Sequence, residues 1–305
     1  MRIILIGAVE STAVTLKAMA AAGHSPVAIV SLEPSLAHRH SDFVDMQPLA
    51  QTVGAEFIPV RSVNAPEPVE RITALQPDWL VVVGWSQIVH EPLLRAARLG
   101  AVGYHPSPLP ELRGRAVLAW TILLGRTWTA GSLFALEPEV DSGRILAQRR
   151  FDLDPRENLA TLMTKHMTAL DQMWRDLLPT MANGLPEGMM QDQVRVSHCA
   201  KRTAADGRIV WDQHAATIDR LIRAVTTPYP GAFSHRGSDR LNIWEAEPWG
   251  GSVHYGLPGQ VLEVRGDEVL VACRLGEALL IKRWSWAEPG QRKPLRIADR
   301  LESGR

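Results

Sequence analysis

Cysteine is scarce in this 305-residue chain, and the two present, Cys199 and Cys273, lack the paired spacing of a zinc site or a CxxC redox motif. That scarcity excludes a disulfide framework and fits a reducing compartment, so a cytoplasmic location is expected. Neither sign of charge is in excess, since Lys+Arg and Asp+Glu stand at 33 each. A balanced chain has no net field to attract nucleic acid or an anionic membrane surface, and both are disfavoured as partners. Apolar runs long enough for a membrane span are missing too. The opening Met-Arg-Ile-Ile-Leu-Ile-Gly turns polar at Glu10, too soon for a signal peptide or a transmembrane helix. No metal-ligand spacing occurs, and His38-Arg39-His40-Ser41-Asp42 reads as a solvated loop.

What is present supports a large core. The apolar fraction of 46% and the length predict two domains of unequal size: 1–185, a linker over 186–200 where Gly184, Pro186 and Gly188 interrupt a helical pattern, and 201–305. In the first, β-branched runs at Arg2 to Ile6, Pro26 to Ser31, Ala55 to Pro59 and Trp79 to Val83 alternate with helical patterns at Thr12 to Ala21 and Pro66 to Leu75. That rhythm predicts an α/β fold with a doubly wound, Rossmann-like, mostly parallel sheet. The first turn, Gly7-Ala8-Val9-Glu10-Ser11-Thr12, lacks GxGxxG spacing, which excludes a standard dinucleotide site. Chemistry is expected instead in the loops after Val83 and Gly103. Beyond the linker, short strands at Asn242 to Ala246, Gly259 to Val264, Glu268 to Ala272 and Ala278 to Trp284 predict a small OB-like β-barrel or open sheet. This apolar β-rich tail and its adjacent helices suit a two-fold contact, so a homodimer is an expectation.

Two segments carry chemistry. Gly103-Tyr104-His105-Pro106-Ser107-Pro108-Leu109-Pro110 holds three prolines, which predicts a stiff loop rather than helix or central strand, presenting one imidazole. Glu137-Pro138-Glu139-Val140-Asp141-Ser142-Gly143 puts three carboxylates in a turn. Singly, His105 reads as a turn-capping histidine and the acidic turn as a solvated loop. The combination reads differently.

With Arg113-Gly114 between them, the order His-x-Ser-x-Leu-Pro, Arg-Gly, Asp-x-Gly resembles the folate-dependent formyltransferase family. The resemblance continues through Trp120-Thr121-Ile122-Leu123 and Gly125 to Lys201, Asp206-Gly207, Trp211 and Tyr229-Pro230-Gly231-Ala232-Phe233, nearly the whole chain. It takes in the second domain typical of methionyl-tRNA and aminosugar-nucleotide formyltransferases. What it implies is transfer of a formyl group from the co-substrate 10-formyltetrahydrofolate to a small-molecule amine, with an aminosugar nucleotide as one candidate. By resemblance, His105 and Asp141 are catalytic. His105 would stabilise a tetrahedral oxyanion. Asp141 would orient the imidazole or move the ammonium proton to the folate nitrogen. Trp85, Ser86, Gln87, Ile88, Val89, Leu109 and Val140 correspond to folate-binding positions, although Trp85 and Ile88 taken singly equally suit core packing. Ser107, Arg113, Gly114 and Arg115 are the candidate acceptor-binding residues, the guanidinium groups suiting an anionic acceptor or structural ion pairs alike.

One departure stands out. Transferases of this family carry an asparagine two residues before the histidine, and here that position is Gly103. The Tyr-His-Pro-Ser form and Ser86-Gln87 look more like the hydrolase domain of 10-formyltetrahydrofolate dehydrogenase. Alternatives are therefore a 10-formyltetrahydrofolate hydrolase, a methionyl-tRNA formyltransferase, disfavoured by Glu245, Glu247, Glu263, Asp267 and Glu268 among the basic residues of the tail, and an inactive folate-binding protein. A backbone amide, Gln87, Ser107 or a water are the candidate replacements for the missing amide, and Gly103→Asn is expected to raise amine transfer if that amide is limiting.

Overall fold

Four consecutive apolar residues make β1 (Ile3–Ile6), and all four are fully buried, as a strand covered on both faces requires. The chain is a computed structural model describing residues 1–39, 42–288, 290 and 294–302; His40 and Ser41 of the histidine-rich loop lie outside the described residues. After β1 come α1 (Glu10–Ala21), β2 (Ala28–Leu32), α2 (Gln47–Thr52), β3 (Glu56–Val60), α3 (Pro66–Ala74), β4 (Trp79–Val82), α4 (Glu91–Leu94) and β5 (Gly100–His105). The short β6 (Arg113–Gly114) and α5 (Val117–Leu123) precede β7 (Trp128–Ala135), β8 (Ile145–Asp152), α6 (Leu159–Leu177) and β9 (His198–Cys199). Two units emerge: 1–117 with 128–152 and 163–200, and 118–127 with 153–162 and 201–305.

In the first unit the strands follow the order β3-β2-β1-β4-β5-β7-β8, parallel through β5 and antiparallel at β7 and β8. Alternation along the strands splits the core. Ile3, Leu5, Ile29, Trp79 and Val81 face α1 and α6, where they meet Leu16, Met19, Leu170 and Trp174. Ile4, Ile6, Val30, Ile58 and Leu80 face the other way, toward Ile72 of α3 and Leu93 of α4.

The expectation of a loop from Gly103 onward needs correcting. β5 continues to His105, pairing Val82 with Gly103 on one side and Ser132 with His105 on the other, so Gly103, Tyr104 and His105 belong to a central strand. Pro106, Pro108 and Pro110 all lie beyond it, and a missing N–H breaks pairing only where the proline stands.

The strand order reverses between β1 and β4, where open sheets usually form a ligand crevice. Here the crevice is filled. Thr12 Oγ1 donates to Val83 O at 2.7 Å and accepts from Val9 N at 3.2 Å, and a Cβ on Gly7 would lie 2.0 Å from Val83 O.

Residues 186–200, expected as a linker, make backbone pairs within the first unit. Met189 bridges Ile145, and β9 pairs in parallel with β6.

The second unit contains α7 (Ala215–Val225) and the antiparallel strands β10 (Ala232–Arg236), β11 (Asp239–Pro248), β12 (Val261–Arg265), β13 (Glu268–Ala272) and β14 (Ala278–Trp286), in the order β10-β11-β14-β13-β12. Its two edges are each bridged by residues of the segment 298–302. Glu302 bridges His235 of β10, while Arg300 bridges Gln260 and Asp299 O accepts from Val261 N of β12. This closure covers both edge strands, the barrel solution to unpaired backbone. Among the described residues no helix is long and apolar enough to cross a membrane.

Tyr104 points to the α6 face, opposite His105, and its hydroxyl lies 2.8 Å from Nδ1 of the fully buried His166. Burial, with the His105 ring adding to it, pushes His166 from 6.5 down to about 3. In the unfolded chain that ring takes up a proton near its ordinary value, whereas the folded chain does not. The contribution of this ring to stability is therefore complete above about pH 6.5 and is lost progressively as the pH falls toward 3. Urea unfolding measured across this window is expected to show that slope, and His166→Gln to flatten it. An unchanged slope in the variant contradicts the assignment.

Candidate active site

β4 and β5 end at the same edge of the sheet, and the loops leaving them, together with the connection from β7 to β8, enclose a cavity of about 480 Å³. Its walls are Trp85 to Val89 from the loop after β4, Gly103 to His105 from β5, Gly114 to Ala116, and Phe134, Leu136 to Pro138, Val140 and Asp141 from the β7–β8 connection. Because β7 runs antiparallel to β5, it leaves the sheet at the far end, where Leu136 N donates to Ala101 O, and the segment 137–141 then runs back to set Asp141 beside His105.

His105 is 5% exposed. Its Nε2 is 2.8 Å from Leu112 O, and since a carbonyl only accepts, Nε2 carries the proton. Nδ1 is left facing Asp141, with Oδ2 at 3.7 Å. That same Oδ2 accepts from Gly114 N at 2.8 Å. Gly114 has φ 103, and a Cβ there would lie 2.5 Å from Cys199 O, so no other residue fits where this amide must be. Asp141 itself sits in the left-handed region at φ 55. An L residue holds that conformation only when its surroundings fix it.

The expected folate-binding residues divide. Trp85, Ser86, Gln87, Ile88, Val89 and Val140 line the cavity, with Ile88 and Val140 half exposed. Leu109 does not; it is buried against Phe134 and Ile145. Among the expected acceptor-binding residues, Gly114 and Arg115 line the cavity. Ser107 and Arg113 are turned into the protein. Ser107 Oγ donates to Glu111 O at 2.7 Å, and the Arg113 guanidinium is bound to Gln191. Of the candidates for the missing amide, Ser107 donates to Glu111 O, and Gln87 donates to Arg61 O and accepts from Val63 N.

The position of that amide is itself occupied. A Cβ on Gly103 would lie 2.7 Å from Cδ2 of Leu136 and 3.1 Å from Cε1 of Phe134, so apolar side chains fill the space an asparagine would need. Leu136 and Phe134 were not singled out by the sequence, and the strand pairing that sets Phe134 opposite Gly103 is what points to them.

Trp85 carries a polar atom without a hydrogen-bond partner: its indole Nε1 is buried and has none among the described residues. No three His, Cys, Asp or Glu side chains converge to hold a metal ion among the described residues.

Residues 1–175 match the family described as formyl transferase, and residues 201–303 match the formyl transferase C-terminal domain. Solved structures of similar fold include HypX from Aquifex aeolicus in complex with tetrahydrofolic acid, 19% identical over 94% of this chain with a TM-score of 0.67. This chain spans 44% of that protein's length. The N-formyltransferase from Helicobacter canadensis, in complex with folinic acid and dTDP-3-aminofucose, is 13% identical over 92% of this chain and 99% of its own, with a TM-score of 0.69. Methionyl-tRNA formyltransferase from Clostridium thermocellum is 16% identical over 90% of this chain and 98% of its own, with a TM-score of 0.57. At these identities the structures share the fold, while the family match extends over more than half of the sequence and includes both candidate active-site segments: the chain belongs to the formyl transferase family.

Proposed function

We propose that this chain transfers a formyl group from 10-formyltetrahydrofolate to a small-molecule amine. The observation that carries it is the approach of His105 Nδ1 to Asp141 Oδ2, 3.7 Å, at the wall of a cavity whose other residues are largely apolar. The folate ligands of the HypX and Helicobacter canadensis structures support the co-substrate, and the amino sugar of the latter supports a small amine acceptor.

The cavity residues fit a folate. A pterin has apolar faces and a polar edge, and the wall supplies Ile88, Val89, Leu94 and Val140 for the faces and Ser86 and Gln87 for the edge. Folate supplies an activated formyl group. The chain's residues supply the rest. His105 is held at Nε2 by Leu112, so proton exchange falls to Nδ1, which when protonated can donate to an oxyanion growing on the formyl oxygen. Asp141, fixed by Gly114, is the acceptor for the proton that an attacking amine must shed. Arg115, exposed at the cavity wall, suits an anionic group on the acceptor.

A second reading, hydrolysis of the formyl group, is favoured by one observation. Leu136 and Phe134 crowd the space beside Gly103, so no side-chain amide is available there, and the demands of holding an amine are relaxed when water is the nucleophile. Formate released in the absence of any amine selects hydrolysis; formate-free transfer to an amine selects the transferase.

His105→Ala and Asp141→Asn are each expected to fold and to lower tetrahydrofolate release by about 100-fold or more. Full turnover by either purified variant contradicts the assignment. Gly103→Asn alone is expected to cost about 1–3 kcal/mol in urea unfolding, because its Cβ meets Leu136. Added to Leu136→Ala, the same substitution should cost less and raise the ratio of amine product to formate. Equal destabilisation in both backgrounds contradicts the steric account.

A further inference from the structure

His105 is touched by two groups, the carbonyl of Leu112 and the carboxylate of Asp141, and both belong to residues in the left-handed region without being glycine, at φ 59 and φ 55. Each is gripped by a side chain from the segment 191–199. Gln191 Nε2 donates to Asp141 O at 2.8 Å and to Gly143 O at 2.7 Å, bracketing the turn that presents the carboxylate. Its Oε1 accepts from Arg113 Nε at 3.1 Å and Nη2 at 2.7 Å. Both N–H groups and both lone pairs of this amide are thus used, in a side chain only 5% exposed.

Ser197 does the same for the other group. Its Oγ accepts from Leu112 N at 2.9 Å and its carbonyl from Arg113 N at 2.8 Å, while Leu112 O takes the proton on His105 Nε2. Two residues on, Cys199 pairs with Gly114, the residue whose amide holds Asp141. One segment therefore fixes the backbone behind both active-site groups.

We infer that Gln191 and Ser197 are positioning residues, Gln191 setting the Asp141 carboxylate and Ser197 setting the His105 ring through Leu112. This rests on the formyl-transfer reading of His105 and Asp141. A packing role alone does not demand that two side chains spend their hydrogen bonds on the two strained residues contacting His105. Displacement of a reacting group by about 1 Å costs on the order of 100-fold in rate, so loss of either grip appears in turnover before it appears in folate binding.

The test uses the full chain with 10-formyltetrahydrofolate. Gln191→Glu keeps the oxygen facing Arg113 but sets a carboxylate oxygen against two carbonyls, breaking only the Asp141 side. Ser197→Ala removes the hydroxyl, and Ser197→Thr returns it. Binding stoichiometry of 5-formyltetrahydrofolate counts folded sites for each. The expected result is a fall in kcat per binding site of about 10- to 100-fold in Gln191→Glu and Ser197→Ala, with folate KM within about 2-fold, and recovery of most of the rate in Ser197→Thr. Full kcat per site in both Gln191→Glu and Ser197→Ala overturns the inference while leaving the formyl-transfer reading intact, as does activity lost only in proportion to folate sites. A wild-type chain that releases no tetrahydrofolate overturns that reading and the inference with it.

Discussion

The bond from Gly114 N–H to the Asp141 carboxylate is the contact on which the proposed active site depends. It joins two loops that leave different strands, and it fixes the oxygen that faces His105 Nδ1. The restriction acts from both ends. At 114 only glycine fits, because Cys199 O lies where a Cβ would be, and at 141 an aspartate holds a left-handed backbone. A hydrogen bond to a charged acceptor contributes about 1.5–3 kcal/mol, enough to offset the cost of one residue in that region. Strain at Asp141 and crowding at Gly114 are thus compensated by the bond they make possible.

The rest of the first unit positions that bond. A parallel sheet buried on both faces leaves chemistry to the loops at its carboxyl edge, and the usual crevice between β1 and β4 is closed by Thr12 and by the tight approach of Gly7 to Val83. Space for a ligand is displaced to the β4 and β5 ends. The connection from β7 to β8 runs back to that edge and brings a carboxylate beside an imidazole. Tyr104, tied to His166 on the far face, anchors the residue before His105 to the core, so the imidazole leaves a strand that is held from behind.

Much of this was legible in the residues. Apolar runs of four to six and helical periodicity marked β1 to β4, α1, α3 and α6 because burial on two faces leaves a direct imprint on composition. His105 and Asp141 were legible through the order of motifs rather than through either residue. The course of β5 was misjudged, since three prolines mask the strand that ends just before them. Gln191 and Ser197 were hidden for a different reason: a stretch with glycine and proline nearby reads as a linker, and their partners, Asp141 and Leu112, are remote in sequence. The packing of Leu136 against Gly103 was equally invisible, because a clash between neighbouring strands depends on register that no single segment encodes.

A structure of the chain with bound 5-formyltetrahydrofolate tests the central claim most directly. The account predicts the pterin against Ile88, Val89 and Val140, with the formyl-bearing part of the ligand within reach of His105 Nδ1 and Asp141 Oδ2. Folate bound elsewhere, with those two groups still facing each other and away from it, contradicts the account.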